Sequence, residues 1–235
     1  MSVRVVGADV EDADWARLFG DHGDRAGRLV ILGTSGWGRT LVSLVEALNR
    51  WGASIELLGM IDDDPRDLDL LEPINTTFLG GLDLLDGLDA SFVLGSTDIA
   101  QRRLHDRRAT SAGLEAMTLI HPETALGPDF TVGQGSVIIE SRLSIGVTLG
   151  RHCVIQDTRV GHDVVLEDFA WVENGNTLGG DARIGNGAVL GIGAVVASGV
   201  SVGSDAVIRG GTVLDSDVPN GAHVRGLPGS LDREA

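Results

Sequence analysis

The residue pair in this chain best suited to moving a proton at neutral pH is His162-Asp163. An imidazole titrates near neutrality, and an adjacent carboxylate orients the ring and stabilises its cation. A second constellation suits a phosphate. Gly33-Thr-Ser-Gly-Trp-Gly38 is a glycine-rich turn between an apolar run and a helical pattern. There, backbone N–H groups and a helix dipole approach an anion. It lacks the Lys-Ser/Thr ending of a P-loop, so ATP hydrolysis is not indicated, and it also departs from the glycine spacing of the dinucleotide fingerprint. Asp62 and Asp63 end the next apolar run, where a carboxylate accepts bonds from a ribose or base, and Gly95 ends the one after. Plainer readings stand beside these: an exposed corner histidine, a structural turn, and a solvated acidic turn stopped by Pro65. His152 is expected at the surface. His152, Asp157 and His162 match no metal-ligand spacing, and no metal is expected.

The elements that position these residues are legible as two patterns. Arg28–Leu32, Glu56–Ile61 and Ser91–Leu94 read as buried strands, and Leu41, Leu44, Val45 and Leu48 recur at helical spacing. Alternating strand and helix imply a small parallel α/β sheet, with its ligand crevice at the carboxyl ends of the strands. The C-terminal half repeats every six residues: Val160, Leu166, Val172, Leu178, Ile184, Leu190, Val196, Val202, Ile208 and Leu214. Glycine often follows, at Gly161, Gly179, Gly185, Gly191 and Gly203. A six-residue repeat marks a β-helix, with the aliphatic residue inside a triangular prism and small residues where a Cβ would crowd. The earlier path runs Ile138, Leu143, Leu149, Ile155, Val160, with five-residue steps that tighten corners before Gly161-His162-Asp163. This predicts an acidic extension over 1–27, an α/β domain over 28–118 and a β-helix over 119–235. Within the extension, Val3–Val6 reads as a short strand and Asp14–Phe19 as a helical turn. A tail from Val224 drapes over the last coil.

Composition narrows the function classes. A formal charge of −16 argues against nucleic acid or an anionic membrane as partner. No lysine occurs, so a lysine covalent mechanism is excluded. One cysteine, Cys153, permits no intrachain disulfide and suits a reducing cytoplasm, with burial as its plain role. No apolar stretch reaches transmembrane length.

With both halves in view, the chain resembles the sialic acid O-acetyltransferase NeuD family, and within it the nucleotide-amino-sugar N-acetyltransferases. The resemblance covers about residues 28–229. It is carried by GTSGWG at 33–38, IDDD at 61–64, IHPET at 120–124, VGHDVVLEDF at 160–169, LGGDARIGNGAVLGIGAVV at 178–196 and DVPNGAHVRGLP at 217–228. It implies a Rossmann-like N-terminal domain, a left-handed parallel β-helix and a cytoplasmic homotrimer. It also implies acetyl-CoA as co-substrate and a nucleotide-linked amino sugar as acceptor. By the same resemblance, Ser35, Gly36, Trp37, Asp62, Asp63 and Gly95 contact the nucleotide. His162 is the general base, with Asp163 as its carboxylate. Ile192 and Gly210 line the CoA site, and Trp171 stands near the acetyl carbonyl, where the family has a histidine. Trp37 likewise replaces a histidine of the family's turn, and Gln156 an asparagine upstream of the base. For both tryptophans, packing against an apolar plate is the alternative. The rival functions are a sugar O-acetyltransferase, a noncatalytic nucleotide-sugar-binding trimer and a metal-dependent coil hydratase.

Overall fold

The computed structural model describes residues 2–5, 27–66 and 68–226. The first layer is a four-stranded parallel sheet. Strands β2 (Arg28–Leu32), β3 (Glu56–Ile61), β4 (Phe78–Gly80) and β5 (Ser91–Leu94) lie in the order β4–β3–β2–β5. Leu29–Leu32 are fully buried, as continuous aliphatic runs in a parallel sheet should be. Helix α1 (Gly36–Arg50) follows β2 and buries Leu41, Leu44, Val45 and Leu48, the predicted stripe. Helix α2 (Ile99–Ser111) follows β5, and the Asp98 side chain accepts the Gln101 N–H to cap its first turn. Strand order reverses at β2, so a crevice opens between the carboxyl ends of β2 and β5.

From Leu119 the chain winds into a parallel β-helix with three faces. The first face runs from Leu119–Ile120 to His223–Val224, and the second from Ala125–Leu126 to Val213–Leu214. The third runs from Phe130–Gly133 to Ser201–Val202. Every aliphatic residue of the predicted hexads points inward and is at most 5% exposed. Leu143 pairs with Val160 and Ile155 with Val172, so the irregular early path is also in register. Its short corners turn at Glu140 and Asp157, which adopt φ of 45° and 38°. The glycines after the aliphatic residues are required by close approach. A Cβ on Gly161 would lie 2.5 Å from the Gly180 nitrogen of the next coil, and one on Gly185 2.5 Å from that of Ser204.

The two layers share a core. Outward residues of the first face, Leu119, Val137, Val154, Trp171 and Val189, pack with Trp37, Leu41, Val45 and Met117. Strand β1 (Ser2–Val5) pairs antiparallel with Phe130–Gly133, so this part of the extension lies on the coil rather than over the sheet. Asp14–Phe19 fall outside the described residues. At the other end, His223–Val224 add a rung beside Val207–Ile208.

Candidate active site

His162 stands at the corner between strand Arg159–Val160 of the second face and Val165–Leu166 of the third. Its side chain is 56% exposed, and Nδ1 lies 3.0 Å from Asp163 Oδ2. With Nδ1–H donating to that carboxylate, Nε2 carries the free lone pair and is the atom able to accept a proton. The next coil adds a second carboxylate, as Asp181 Oδ2 is 3.8 Å from the same Nδ1. The ring lies over Gly180, where a Cβ would fall 2.5 Å from its Cε1. Beside this corner a groove of about 360 Å³ crosses the second face, lined by Arg142, Ser144, Arg159, Gly161 and Thr177.

The glycine-rich turn forms a second concavity, of about 290 Å³, at the carboxyl ends of β2, β3 and β5. Gly33 approaches Gly95 so closely that a Cβ would lie 2.8 Å from the Gly95 carbonyl carbon, and its φ of 119° excludes most other residues. Ser35 and Asp62 line the cavity as expected. Asp62 Oδ2 accepts the Thr34 N–H at 2.8 Å and the Thr34 hydroxyl at 2.9 Å, which shapes the turn. Gly36 is exposed at the opening of α1. Asp63 is turned elsewhere, because its Oδ1 accepts the Leu82 N–H at 2.7 Å. Gly95 serves by packing against Gly33 and by accepting the Ser35 hydroxyl at 2.7 Å. Thr34 of the turn and Asp64 also line it; sequence reasoning missed Arg66, Ser96, Thr97, Asp98 and Gln101, which complete the lining.

Three expectations are corrected by burial. Trp37 is 5% exposed and donates its indole N–H to the Leu94 carbonyl at 3.0 Å, facing the core rather than a ligand. Trp171 is 3% exposed and meets Trp37 edge-to-face at 5.1 Å, with the Arg102 guanidinium 5.0 Å from its ring centre. Both indoles are packed in the core between the two layers, as the packing alternative has it. His152 is fully buried rather than at the surface. It stacks on Phe169 and engages Asp106 Oδ1 through Nε2 at 2.8 Å, with Arg151 at 2.9 Å from the same oxygen. Burial holds the His152 imidazole below its usual pKa, against the pull of Asp106. Arg102, fully buried, is lowered to about 10 by desolvation, and donates to the carbonyls of Leu94, Ser96 and His152.

Ile192 and Gly210 stack on successive coils at the corner between the first and second faces, and Ile192 is 64% exposed. They are together, but the second face separates their corner from that of His162. Two groups among the described residues place three potential ligand atoms within 4.8 Å: His121, Glu123 and Glu140, and His162, Asp163 and Asp181. In the first, His121 Nδ1 accepts the Glu123 N–H at 3.2 Å, which puts the neutral ring's proton on Nε2, facing Glu140. No helix among the described residues is long and apolar enough to cross a membrane.

No protein-family model and no curated protein matches the chain. Solved structures do. The acetyltransferase domain of PglB from Neisseria gonorrhoeae FA1090, in complex with acetyl coenzyme A, is 25% identical with a TM-score of 0.68. That match covers 86% of this chain and 96% of that one. A mutant of perosamine N-acetyltransferase from Caulobacter crescentus, in complex with CoA and GDP-perosamine, is 23% identical with a TM-score of 0.77, covering 88% and 98%. WeeI from Acinetobacter baumannii AYE is 20% identical with a TM-score of 0.57, covering 84% and 96%. The stacked parallel strands fit the left-handed β-helix of such acetyltransferases. By this architecture and its likeness to the PglB acetyltransferase domain, the chain is an acyltransferase.

Proposed function

We propose that the chain is an acetyl-CoA-dependent N-acetyltransferase acting on the amine of a nucleotide-linked amino sugar, in the manner of the NeuD family. The observation that carries the reading is the exposed His162 with Nδ1 on Asp163 at a coil corner. In this reading Nε2 takes a proton from the amine as its nitrogen attacks the thioester carbonyl. A tetrahedral intermediate then collapses, forming the C–N bond and breaking C–S, and the imidazolium returns the proton to the departing thiolate. An acyl-enzyme is disfavoured: the chain has no lysine, and burial pushes the Cys153 thiol up to about 12. The α/β unit over 28–118 takes the nucleotide in the cavity at Ser35 and Asp62, with two helix N-termini opening toward it. The coil over 119–235 takes acetyl-CoA past Ile192 and Gly210, and the working particle is a homotrimer. Complexes of the Caulobacter protein with CoA and GDP-perosamine support this substrate class. The test is thiol release from acetyl-CoA with UDP-, dTDP- and GDP-linked amino sugars, followed by product analysis. An amide stable to hydroxylamine supports the reading. Equal turnover of an amine-free sugar, giving a hydroxylamine-labile ester, overturns it in favour of O-transfer. Nucleotide-sugar binding without any thiol release overturns it in favour of a binding trimer.

A further inference from the structure

We infer that Asp181 is a second positioning residue for His162, so that the imidazole works between carboxylates from two successive coils. The inference rests on the reading of His162 as the base, and extends it to a residue that nothing in the resemblance assigns. Asp163 and Asp181 occupy the same corner of adjacent coils, and both adopt left-handed backbone geometry, with φ of 56° and 62°. Their side chains therefore leave the corner in the same sense. The equivalent corners below and above are glycines, Gly146 and Gly199, each with φ of 73°. Carboxylates thus occupy this column on His162's own coil and on the next, with glycine directly on either side; Asp129, with φ of 62°, holds the same corner one coil further down, two coils from His162.

Asp181 grips His162 twice. Its backbone N–H donates to the His162 carbonyl at 2.8 Å, and its Oδ2 stands 3.8 Å from Nδ1. Gly180 leaves the space in which the ring lies between the two coils. At 3.0 Å Asp163 makes the hydrogen bond, while 3.8 Å is an ion-pair distance. No cation other than His162 lies within ion-pair distance of either carboxylate among the described residues. The two roles therefore differ. Asp163 fixes the tautomer in the resting site, and Asp181 faces the charge that appears on the ring as it takes the proton. When Asp163 is lost, Asp181 is placed to accept Nδ1–H in its stead.

The experiment reads the His162 tautomer in the full-length protein by ¹⁵N NMR of the imidazole, with thiol release measured in parallel. The variants are Asp163→Ala, Asp181→Ala, Asp163→Ala/Asp181→Ala and Asp181→Glu. In the resting protein, the neutral ring is expected to stay Nδ1-protonated in either single variant. Only the double variant should shift toward the Nε2-protonated form favoured by free imidazole side chains. This readout needs no substrate, so it stands even if no acceptor is found. In turnover, Asp181→Ala is expected to lower kcat about three- to tenfold with KM for both substrates within about twofold. Rising salt should shrink the difference from wild type, and Asp181→Glu should restore most of the loss. If Asp163→Ala alone already gives the tautomer of the double variant, the inference is overturned. Unchanged kcat in Asp181→Ala, in an otherwise active enzyme, overturns it equally.

Discussion

Replacing Asp106 by alanine should loosen the joint between the α/β sheet and the coil. Asp106 lies on α2, and its Oδ1 gathers His152 Nε2 at 2.8 Å, Arg151 at 2.9 Å and Thr110 at 3.3 Å. His152 and Arg151 belong to the coil, so one oxygen ties the two layers. Burial would raise the Asp106 carboxyl, but the His152 and Arg151 contacts outweigh it and hold the group below its ordinary value. Removing the acceptor leaves the fully buried His152 N–H without a partner, a loss of roughly 1–3 kcal/mol. Arg151 is 40% exposed and finds water, so it adds little. The sum is about 1–3 kcal/mol, which for a chain of this size lowers Tm by roughly 2–12 °C. Differential scanning calorimetry of wild type, Asp106→Ala and Asp106→Asn measures it. Asparagine keeps an oxygen for His152 and should recover most of the loss. A Tm for Asp106→Ala within about 1 °C of wild type would mean that this carboxylate does not hold the two layers together.

The same joint gives a pH dependence. His152 is held below its ordinary 6.5 by burial, so the unfolded chain binds more protons there, and stability falls as pH drops below about 6.5. Asp106 adds a second loss as pH falls below about 3.8 and toward its lower folded value. Between pH 7 and 5, the fall in Tm should be smaller in His152→Asn, whose side chain carries no charge and tolerates the φ of 55°. Gly185→Ala should cost about 1–3 kcal/mol, because its Cβ would press on the next coil 2.5 Å away. Gly193→Ala meets no atom within 4 Å and should cost only about 1 kcal/mol for its φ of 69°, again read from thermal unfolding. Cys153, buried and raised to about 12, should react with a thiol reagent only after denaturation.

The coil was legible because one physical rule governs it. A prism this narrow demands an aliphatic residue at each side and a small one where backbones touch, so Val160 to Leu214 and their glycines spelled it out. The five-residue steps at 138–143 and 155–160 were equally readable, since only that path keeps Ile138, Leu143 and Leu149 inside. Helix α2 was not visible, because it buries Arg102, His105 and Asp106 rather than an apolar stripe. Periodicity of apolar residues carries no signal when a helix docks through an ionic seam. For the same reason His152 looked like a surface residue. Nothing in the type or spacing of Trp37 and Trp171 separates a ligand contact from packing; their mutual contact across the layers does. Asp181 lies one full coil beyond Asp163, so coil arithmetic alone stacks the two carboxylates.

If the imidazole at this corner moves the proton in acyl transfer, removing it stops turnover without unfolding the coil. The most direct test compares wild type and His162→Ala for thiol release from acetyl-CoA, using the nucleotide amino sugar that wild type accepts and confirming the variant's fold by its unfolding curve. A loss of about 10²-fold or more in kcat, with the fold intact, is the predicted result. Turnover in His162→Ala equal to wild type removes the imidazole from the reaction.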